Sequence, residues 1–378
     1  MREPKILFLY ISVSSGHQQA AESIQKAIKE IVPEAKTLGL DSFNYAYPFV
    51  GKFIAGTYLQ IVKRTPFLWD YLYDNPDVVT ATQEIREVLN RLNSRKFKKL
   101  LASFHPSAVV CTQAVPCSVV AAAKRHRKIN VPLIAVITDF AAHAYWVYKE
   151  VDAYVVANES TRRELMKKGI PEEKIYLFGI PINPVFNQQV GKEDARLSLG
   201  FKPNLPVLLV MGGSQGLGPI ESILSALDWI SIPFQVAVIT GLNEKLRRSL
   251  KKDFAKSIHR FHIFGYIDGI DKFMEAADIL ITKPGGLTSS EALAKGLPMI
   301  IVNPIPGQEE RNSSYLIKHG VAERADNLEE LAHYVSDFFS HPVKLSRMRH
   351  QALSMAQPDA AYNTALLVLK QIGWPTIV

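Results

Sequence analysis

Cysteine is almost absent: Cys111 and Cys117 are the two in 378 residues, spaced C-x5-C. That spacing matches neither a zinc set nor a C-x-x-C redox pair, and reads as two reduced, buried thiols of a cytosolic protein. Long apolar runs are absent too. Pro132–Ile137, Leu205–Met211 and Leu297–Val302 each hold six or seven residues, whereas a bilayer-spanning helix needs about 20. The opening MREPKILFLYISVSSGH carries two basic residues and an apolar run. That run is strand-length, and no small-residue cleavage site follows, so it reads as a first strand and not a signal peptide. There is no D-x-D, the usual carboxylate pair for a metal-held diphosphate. No Gly-Lys-Ser/Thr stands at Walker A spacing, and no G-x-G-x-x-G stands in register for a nicotinamide dinucleotide. No aromatic-and-basic strand signature of an RNA-recognition motif occurs, which argues against nucleic acid as a partner.

What is present describes a globular chain of two domains, with 47% hydrophobic and 21% charged residues. The net charge of +8 is uneven: residues 1–190 hold 24 Lys+Arg against 17 Asp+Glu, and the remainder 20 against 19. The N-terminal half is therefore the part expected to meet any acidic surface; on charge alone nucleic acid and anionic lipid are both candidates, and solvated surface charge is the plain alternative. Short β-rich runs alternate with amphipathic helices, the pattern of parallel sheets covered on both faces. Strands are expected at Lys5–Val13, Ala108–Cys111, Leu133–Thr138, Ala153–Ala157 and Ile175–Phe178, with a helix over His17–Val32. The second half repeats the style at Val207–Met211, Phe234–Thr240, His262–Phe264, Ile279–Thr282 and Met299–Val302. A polar stretch with Gly191, Gly200, Pro203 and Pro206 marks a linker over Asn187–Pro206. The expected domains are thus 1–190 and 203–357. Ser42–Thr82 breaks the rhythm with ten aromatics, from Phe43 to Tyr73. Within it Phe49, Phe53, Tyr58 and Ile61 share a helix face flanked by Lys52, Lys63 and Arg64, as in a segment lying in a membrane interface. Packing of that helix on its own domain is the other reading.

Three glycine-containing segments follow expected strands: Ser12–His17, Gly212–Gly218 and Lys283–Glu291. Such turns let backbone approach a ligand and present helix N-termini to anions. Ser214 with the amides of Gly213 and Gly216 is suited to a pyrophosphate. Glu291 is placed to accept from two ribose hydroxyls. Thr288-x-x-Glu291 equally spells a capping box, in which Glu291 serves its own helix start. Gln308 and Glu309 offer an amide and a carboxylate for sugar hydroxyls, or Glu309 and Glu310 are first-turn acids facing a helix dipole. His17, at a helix start, is expected to be neutral and so suited to act as a general base. Asp139 and His143, with Trp146, form a second polar group that orients an acceptor or supplies a rival base.

Taken in order, Ser15-Gly16-His17, Lys63-Arg-Thr-Pro66 through Tyr73, Thr138-Asp139 with His143, Gly212-Gly-Ser-Gln-Gly216, Gly265-Tyr266, Lys283-Pro-Gly-Gly286 with Glu291, and Pro306-Gly-Gln-Glu309 resemble the monogalactosyldiacylglycerol synthase and processive diacylglycerol glucosyltransferase family. The elements span about residues 5–320. Some are shared with the related peptidoglycan N-acetylglucosaminyltransferase. The resemblance implies an α/β GT-B fold: two Rossmann-like, doubly wound domains facing each other across a cleft. It implies an inverting, metal-independent transfer of glucose or galactose from a UDP-sugar to diacylglycerol, by a peripheral enzyme on the cytoplasmic side of the membrane, with no cofactor. The same enzyme type acting on a polyprenyl-linked cell-wall intermediate is the alternative, and a sugar-nucleotide epimerase on a related scaffold is a further one. Carried onto this chain, His17 is the base, with Asp139 as its rival. Gly213, Ser214, Gln215 and Gly216 meet the diphosphate, and Phe264, Gly265 and Tyr266 line the uracil. Gly285, Gly286, Leu287 and Glu291 hold the nucleotide, and Gln308 and Glu309 the sugar. The last helix, 360–372, crosses back to the first domain. Two departures stand out: the first loop is less glycine-rich than in several relatives, and Glu310 adds an acid after Glu309.

Overall fold

The computed structural model describes residues 3–12, 15–46, 99–126 and 128–375. The aromatic stretch, with the helix face at 49–62 and the motif at 63–73, lies outside the described residues apart from its first turn. The chain divides into two compact units. One holds residues 1–184, 306–308 and 357–378, and the other 185–305 and 309–356.

In the first unit the strands are β1 (Lys5–Tyr10), β2 (Lys36–Asp41), β3 (Ala108–Cys111), β4 (Leu133–Val136), β5 (Ala153–Val156) and β6 (Ile175–Leu177). They form one parallel sheet in the order β2-β1-β3-β4-β5-β6. Its helices include α1 (Ser15–Ile31), α2 (Ser42–Ala46), α3 (Ala114–Arg125) and α4 (Glu159–Lys167). The inner strands are buried along their whole length, which is why they read as continuous apolar runs. The 3.6-residue pattern of α1 lays Ala21, Ile24, Ala27 and Ile28 against one sheet face. Cys111 and Cys117 are buried free thiols on the opposite face. Burial and the neighbouring Cys117 push the Cys111 thiol well up.

The second unit contains α5 (Lys192–Ser198), β7 (Val207–Met211), α6 (Ile220–Asp228), β8 (Gln235–Ile239), α7 (Glu244–Asp253), β9 (Arg260–Phe264), α8 (Ile270–Ala276), β10 (Ile279–Thr282), α9 (Gly286–Ala294) and β11 (Met299–Val302). It continues through α10 (Gln308–Lys318), β12 (Ala322–Ala325), α11 (Leu328–Ser340) and α12 (Pro342–Met355). Its strands run parallel in the order β12-β11-β10-β7-β8-β9. Strand β12 escapes a hydrophobicity reading because its middle is Glu323-Arg324. After α12 the chain returns to the first unit as α13 (Ala360–Gln371), whose Ala361, Ala365, Val368 and Leu369 join the α1 core.

The polar stretch 187–206 is not a free linker. Arg196 of α5 donates to Asp278 at 2.6 Å and to the Ala276 carbonyl at 3.0 Å, and Lys192 pairs with Asp278 at 2.7 Å. Asp278 also accepts the Val207 amide at 2.8 Å. One carboxylate thus fastens α5 to the start of β7, so the second unit begins near residue 185. Lys295 extends this anchorage: it donates to the Gln188 carbonyl and pairs with Glu275 at 2.8 Å, the two side chains 2% and 8% exposed. Removing one partner of a buried pair strands the other charge, at about 3–5 kcal/mol. Lys295→Met should therefore lower the denaturant midpoint of the second unit by a loss of about 3 kcal/mol. Adding Glu275→Leu should recover part of it. A single variant as stable as the parent would remove the pair from this role.

Candidate functional site

A doubly wound sheet has one point where successive connections leave for opposite faces, and ligands bind outside the strand ends there. In the first unit that point lies between β1 and β3. The β1 loop is drawn toward the neighbouring β2 end: Asp41 accepts from the Ser12 amide at 2.9 Å and from its hydroxyl, while its other oxygen takes the Asn44 amide at 2.9 Å. His17 follows, third in α1. The Thr112 hydroxyl, just past β3, donates to the His17 carbonyl at 2.8 Å. On the ring, Nδ1 lies 2.8 Å from the Thr138 hydroxyl, whose own proton points to the Thr112 carbonyl at 3.5 Å. With Nδ1 as the donor to that hydroxyl, Nε2 keeps a lone pair. Burial drives the pKa of His17 down to about 4, against a smaller upward pull from the Thr112 backbone. The imidazole is neutral as expected, but desolvation is the leading cause. Asp139 follows Thr138 and is buried, as are His143 and Trp146, whose rings lie 5.9 Å apart.

In the second unit the switch point lies between β7 and β10. Thr282 stitches the two together there, its hydroxyl donating to the Met211 carbonyl at 2.9 Å. The loop after β7 is a closed turn: Gly216 N–H donates to Gly213 C=O at 3.0 Å and Leu217 N–H to Gly212 C=O at 2.9 Å. The Gly216 amide is therefore committed inside the loop, contrary to the sequence expectation that it faces a pyrophosphate. Gly216 is required for another reason. It has φ +57°, and a Cβ there would overlap the Thr240 carbonyl of the next loop. Ser214 fixes the same junction, its carbonyl accepting Leu242 N–H at 2.9 Å. Gln215, exposed, completes the loop.

The loop after β10 leads into α9, whose N-cap is Gly285 with no side-chain cap. Thr288 is the third residue of that helix, so the capping-box reading of Thr288 and Glu291 fails on register. Glu291 is instead buried, and its carboxyl is pushed up to about 8 by burial first and then by Asp271. Gly286 and Leu287 form the buried first turn before it. Asn312 of α10 holds this loop through the Pro284 carbonyl at 3.0 Å. Phe264 ends β9 with its ring 5.0 Å from that of Phe273, while Tyr266 is 53% exposed. A Cβ on Gly265 would press on the Glu244 and Arg247 side chains at 3.1 and 3.3 Å.

Gln308 opens α10. Glu309 does not point free for a sugar: one oxygen meets Lys283 Nζ at 2.6 Å and the other accepts the Ile305 amide at 2.9 Å. Glu310 pairs with Arg324 at 2.5 Å. Sequence reasoning missed Asp41, Thr112 and Asn312 as site builders, because none carries a local signal; Lys283 stands in the Lys283-Pro-Gly-Gly286 motif but has no role of its own there.

The Glu291 shift has a consequence for stability. With the folded pKa near 8 and the ordinary value 4.5, stability from the neutral carboxyl is complete below pH 4.5 and lost as pH rises through 8. Glu291→Gln should match the parent at pH 4.5 and exceed it at pH 9, by on the order of 3 kcal/mol in urea titrations. Equal stabilities at both pH values would show that folding does not raise the pKa of this carboxyl.

The comparisons divide the chain in the same way as its two sheets. A model for monogalactosyldiacylglycerol (MGDG) synthase matches residues 17–182, and one for the glycosyltransferase family 28 C-terminal domain matches 207–364. A processive diacylglycerol beta-glucosyltransferase from Bacillus cereus is 29% identical over 373 residues, covering 98% of this chain and 95% of that protein. Among solved structures, Acinetobacter baumannii MurG superposes with a TM-score of 0.66 at 14% identity, over 97% of this chain and 99% of that one. A UDP-GlcNAc 2-epimerase from Neisseria meningitidis, bound to UDP-GlcNAc, gives 0.62 at 12% identity, over 97% and 100%. These two likenesses establish the GT-B fold. Each half of the chain matches its own model, and a relative is matched over nearly its whole length: this is a glycosyltransferase, similar in both halves to the monogalactosyldiacylglycerol synthase and processive diacylglycerol glucosyltransferase family.

Proposed function

We propose that the chain transfers a hexose, glucose or galactose, from a UDP-sugar to diacylglycerol at a membrane surface, forming a β-glycolipid with inversion. The observation that carries this reading is the buried His17 imidazole, its pKa lowered by burial and its Nδ1 2.8 Å from the Thr138 hydroxyl, a contact that leaves Nε2 a lone pair when Nδ1 is the donor. The activity in the name of the Bacillus cereus relative supports diacylglycerol as acceptor. The UDP-GlcNAc carried by the Neisseria meningitidis neighbour supports a uridine nucleotide as donor.

The acceptor hydroxyl gives its proton to Nε2 of His17 while its oxygen attacks the anomeric carbon. The bond from that carbon to the diphosphate oxygen breaks on the opposite side, and its electron pair leaves with UDP. A single displacement of this kind inverts the centre. Asp139 is the rival base. Glu291, ionised by the hydrogen bonds it would accept, holds the ribose hydroxyls. Phe264, Gly265 and Tyr266 receive the uracil, and Gln308 the sugar. No metal or other cofactor is needed in this scheme, because backbone amides and side chains supply the charge that a D-x-D metal site would. No described helix is long and apolar enough to cross a membrane. A peripheral enzyme on the cytoplasmic side, held through its basic N-terminal half, is consistent with the acceptor.

Incubation with UDP-glucose or UDP-galactose and diacylglycerol vesicles, with the product identified by mass, tests the whole reading. A product formed solely on a polyprenyl-linked acceptor, or isomerised sugar nucleotide without lipid, would replace it. His17→Ala should lower kcat by about 100-fold or more, the usual scale for a lost general base. The acidic limb of kcat/KM should fall near pH 4, where His17 protonates, and not near 6.5. Retained turnover in His17→Ala would hand the role to Asp139. Phe53→Ser with Trp69→Ser should weaken co-sedimentation with anionic vesicles; unchanged binding by the folded variant would remove the aromatic stretch from membrane contact.

A further inference from the structure

Lys283 is the residue after β10, at the switch point of the second sheet, and its surroundings assign it a task. Its Cε lies 3.6 Å from where a Cβ on Gly213 would stand, so its side chain runs across the face of the β7 loop. The side chain is 25% exposed, which leaves the ammonium within reach of a ligand on that loop. An ammonium has three N–H donors. One is taken by Glu309 at 2.6 Å, and no other hydrogen-bond partner of Nζ occurs among the described residues. Glu309 is 12% exposed and is itself tethered by the Ile305 amide at 2.9 Å, so it holds the lysine from a fixed position. A swinging cation loses side-chain entropy on meeting a ligand, and one already clamped loses less.

We propose that Lys283 binds the diphosphate of the donor, and that Glu309 is the positioning residue that aims it, not a ligand of the sugar. The inference rests on the UDP-sugar reading above and deepens it. Gly213 lies beside that path: a Cβ there would stand in ordinary contact with Lys283 Cε, at 3.6 Å. The closed turn adds a reason for a cation, since Gly216 and Leu217 spend their amides on carbonyls of the same loop and have none for phosphate. During transfer, the electron pair of the breaking bond between the anomeric carbon and oxygen passes to the β-phosphate. The two remaining N–H groups of Lys283 then donate to the phosphate oxygens as that charge grows. The lysine keeps all its protons throughout, and the acceptor's proton goes to the base of the first unit.

Calorimetric titration of the full-length protein with UDP and, separately, with uridine tests this. Hydrogen bonds to charged groups imply that Lys283→Gln weakens UDP binding by about 10- to 100-fold. Uridine affinity should stay unchanged, because the neutral nucleoside does not reach the lysine. Lys283→Arg should restore most of the UDP affinity. Glu309→Gln should also weaken UDP binding, by several-fold, although no sugar is present; a pure sugar ligand would leave it untouched. Parent-like UDP affinity in Lys283→Gln overturns the assignment of the lysine. Parent-like UDP affinity in Glu309→Gln overturns that of the glutamate. Equal losses for UDP and uridine in both variants point to a merely structural pair and overturn the proposal. If the folded parent binds uridine but gains nothing from the diphosphate, Lys283 has no such role. If it binds neither, the donor reading itself fails, and this inference with it.

Discussion

The strand order of each sheet is the constraint on which everything else depends. A parallel sheet that grows outward in both directions must leave one pair of neighbouring strands whose following loops part company. In the first sheet that pair is β1 and β3, and His17 with Thr112 occupies the gap. In the second it is β7 and β10, joined by the Thr282 hydroxyl. Neither site is built by its loop alone. Asp41 ties down the β1 loop from the end of β2, and Asn312 ties down the β10 loop from α10. Rigid strands end where irregular backbone begins, and long-range side chains fix that backbone.

The electrostatics of the two units are complementary in kind. The first unit removes charge: burial keeps His17 neutral, and a threonine, not a carboxylate, orients its ring. A carboxylate in that place would favour the imidazolium and raise the pKa. The second unit places a charged pair at its switch point, Lys283 beside Glu309, while burial disfavours charge on Glu291. Proton acceptance and phosphate binding, the roles proposed for the two units, make opposite demands on local potential, and separate sheets would let each be met.

Much of the fold was legible in the chain itself. Buried parallel strands are continuous apolar runs, so Ala108–Cys111, Val207–Met211, Ile279–Thr282 and Met299–Val302 could be delimited to the residue. Strand β12 could not, because Glu323-Arg324 interrupts its apolar pattern. The stretch 187–206 looks like a linker by composition, yet Asp278, some 70 to 90 residues away in sequence, holds it. Among site residues, His17 and Glu291 stood out by residue type next to a glycine turn. What could not be read was partnership. The Thr138 hydroxyl that holds the His17 ring lies 121 residues away. The lysine that occupies Glu309 lies 26 residues before it. The Thr288-x-x-Glu291 pattern misled because a capping box needs Thr288 outside the helix, whereas the helix begins at Gly286.

The path of α13 bears on how the molecule is made. Its Ala361, Ala365, Val368 and Leu369 complete the same core as Ala21, Ile24, Ala27 and Ile28 of α1. These two contributions come from opposite ends of the polypeptide. During synthesis the apolar stripe of α1 emerges more than 300 residues before the segment that seals it. The second unit lies wholly between them. The nascent first unit therefore waits with an uncovered oily seam while its neighbour is translated, and ribosome-associated chaperones have that interval in which to bind it.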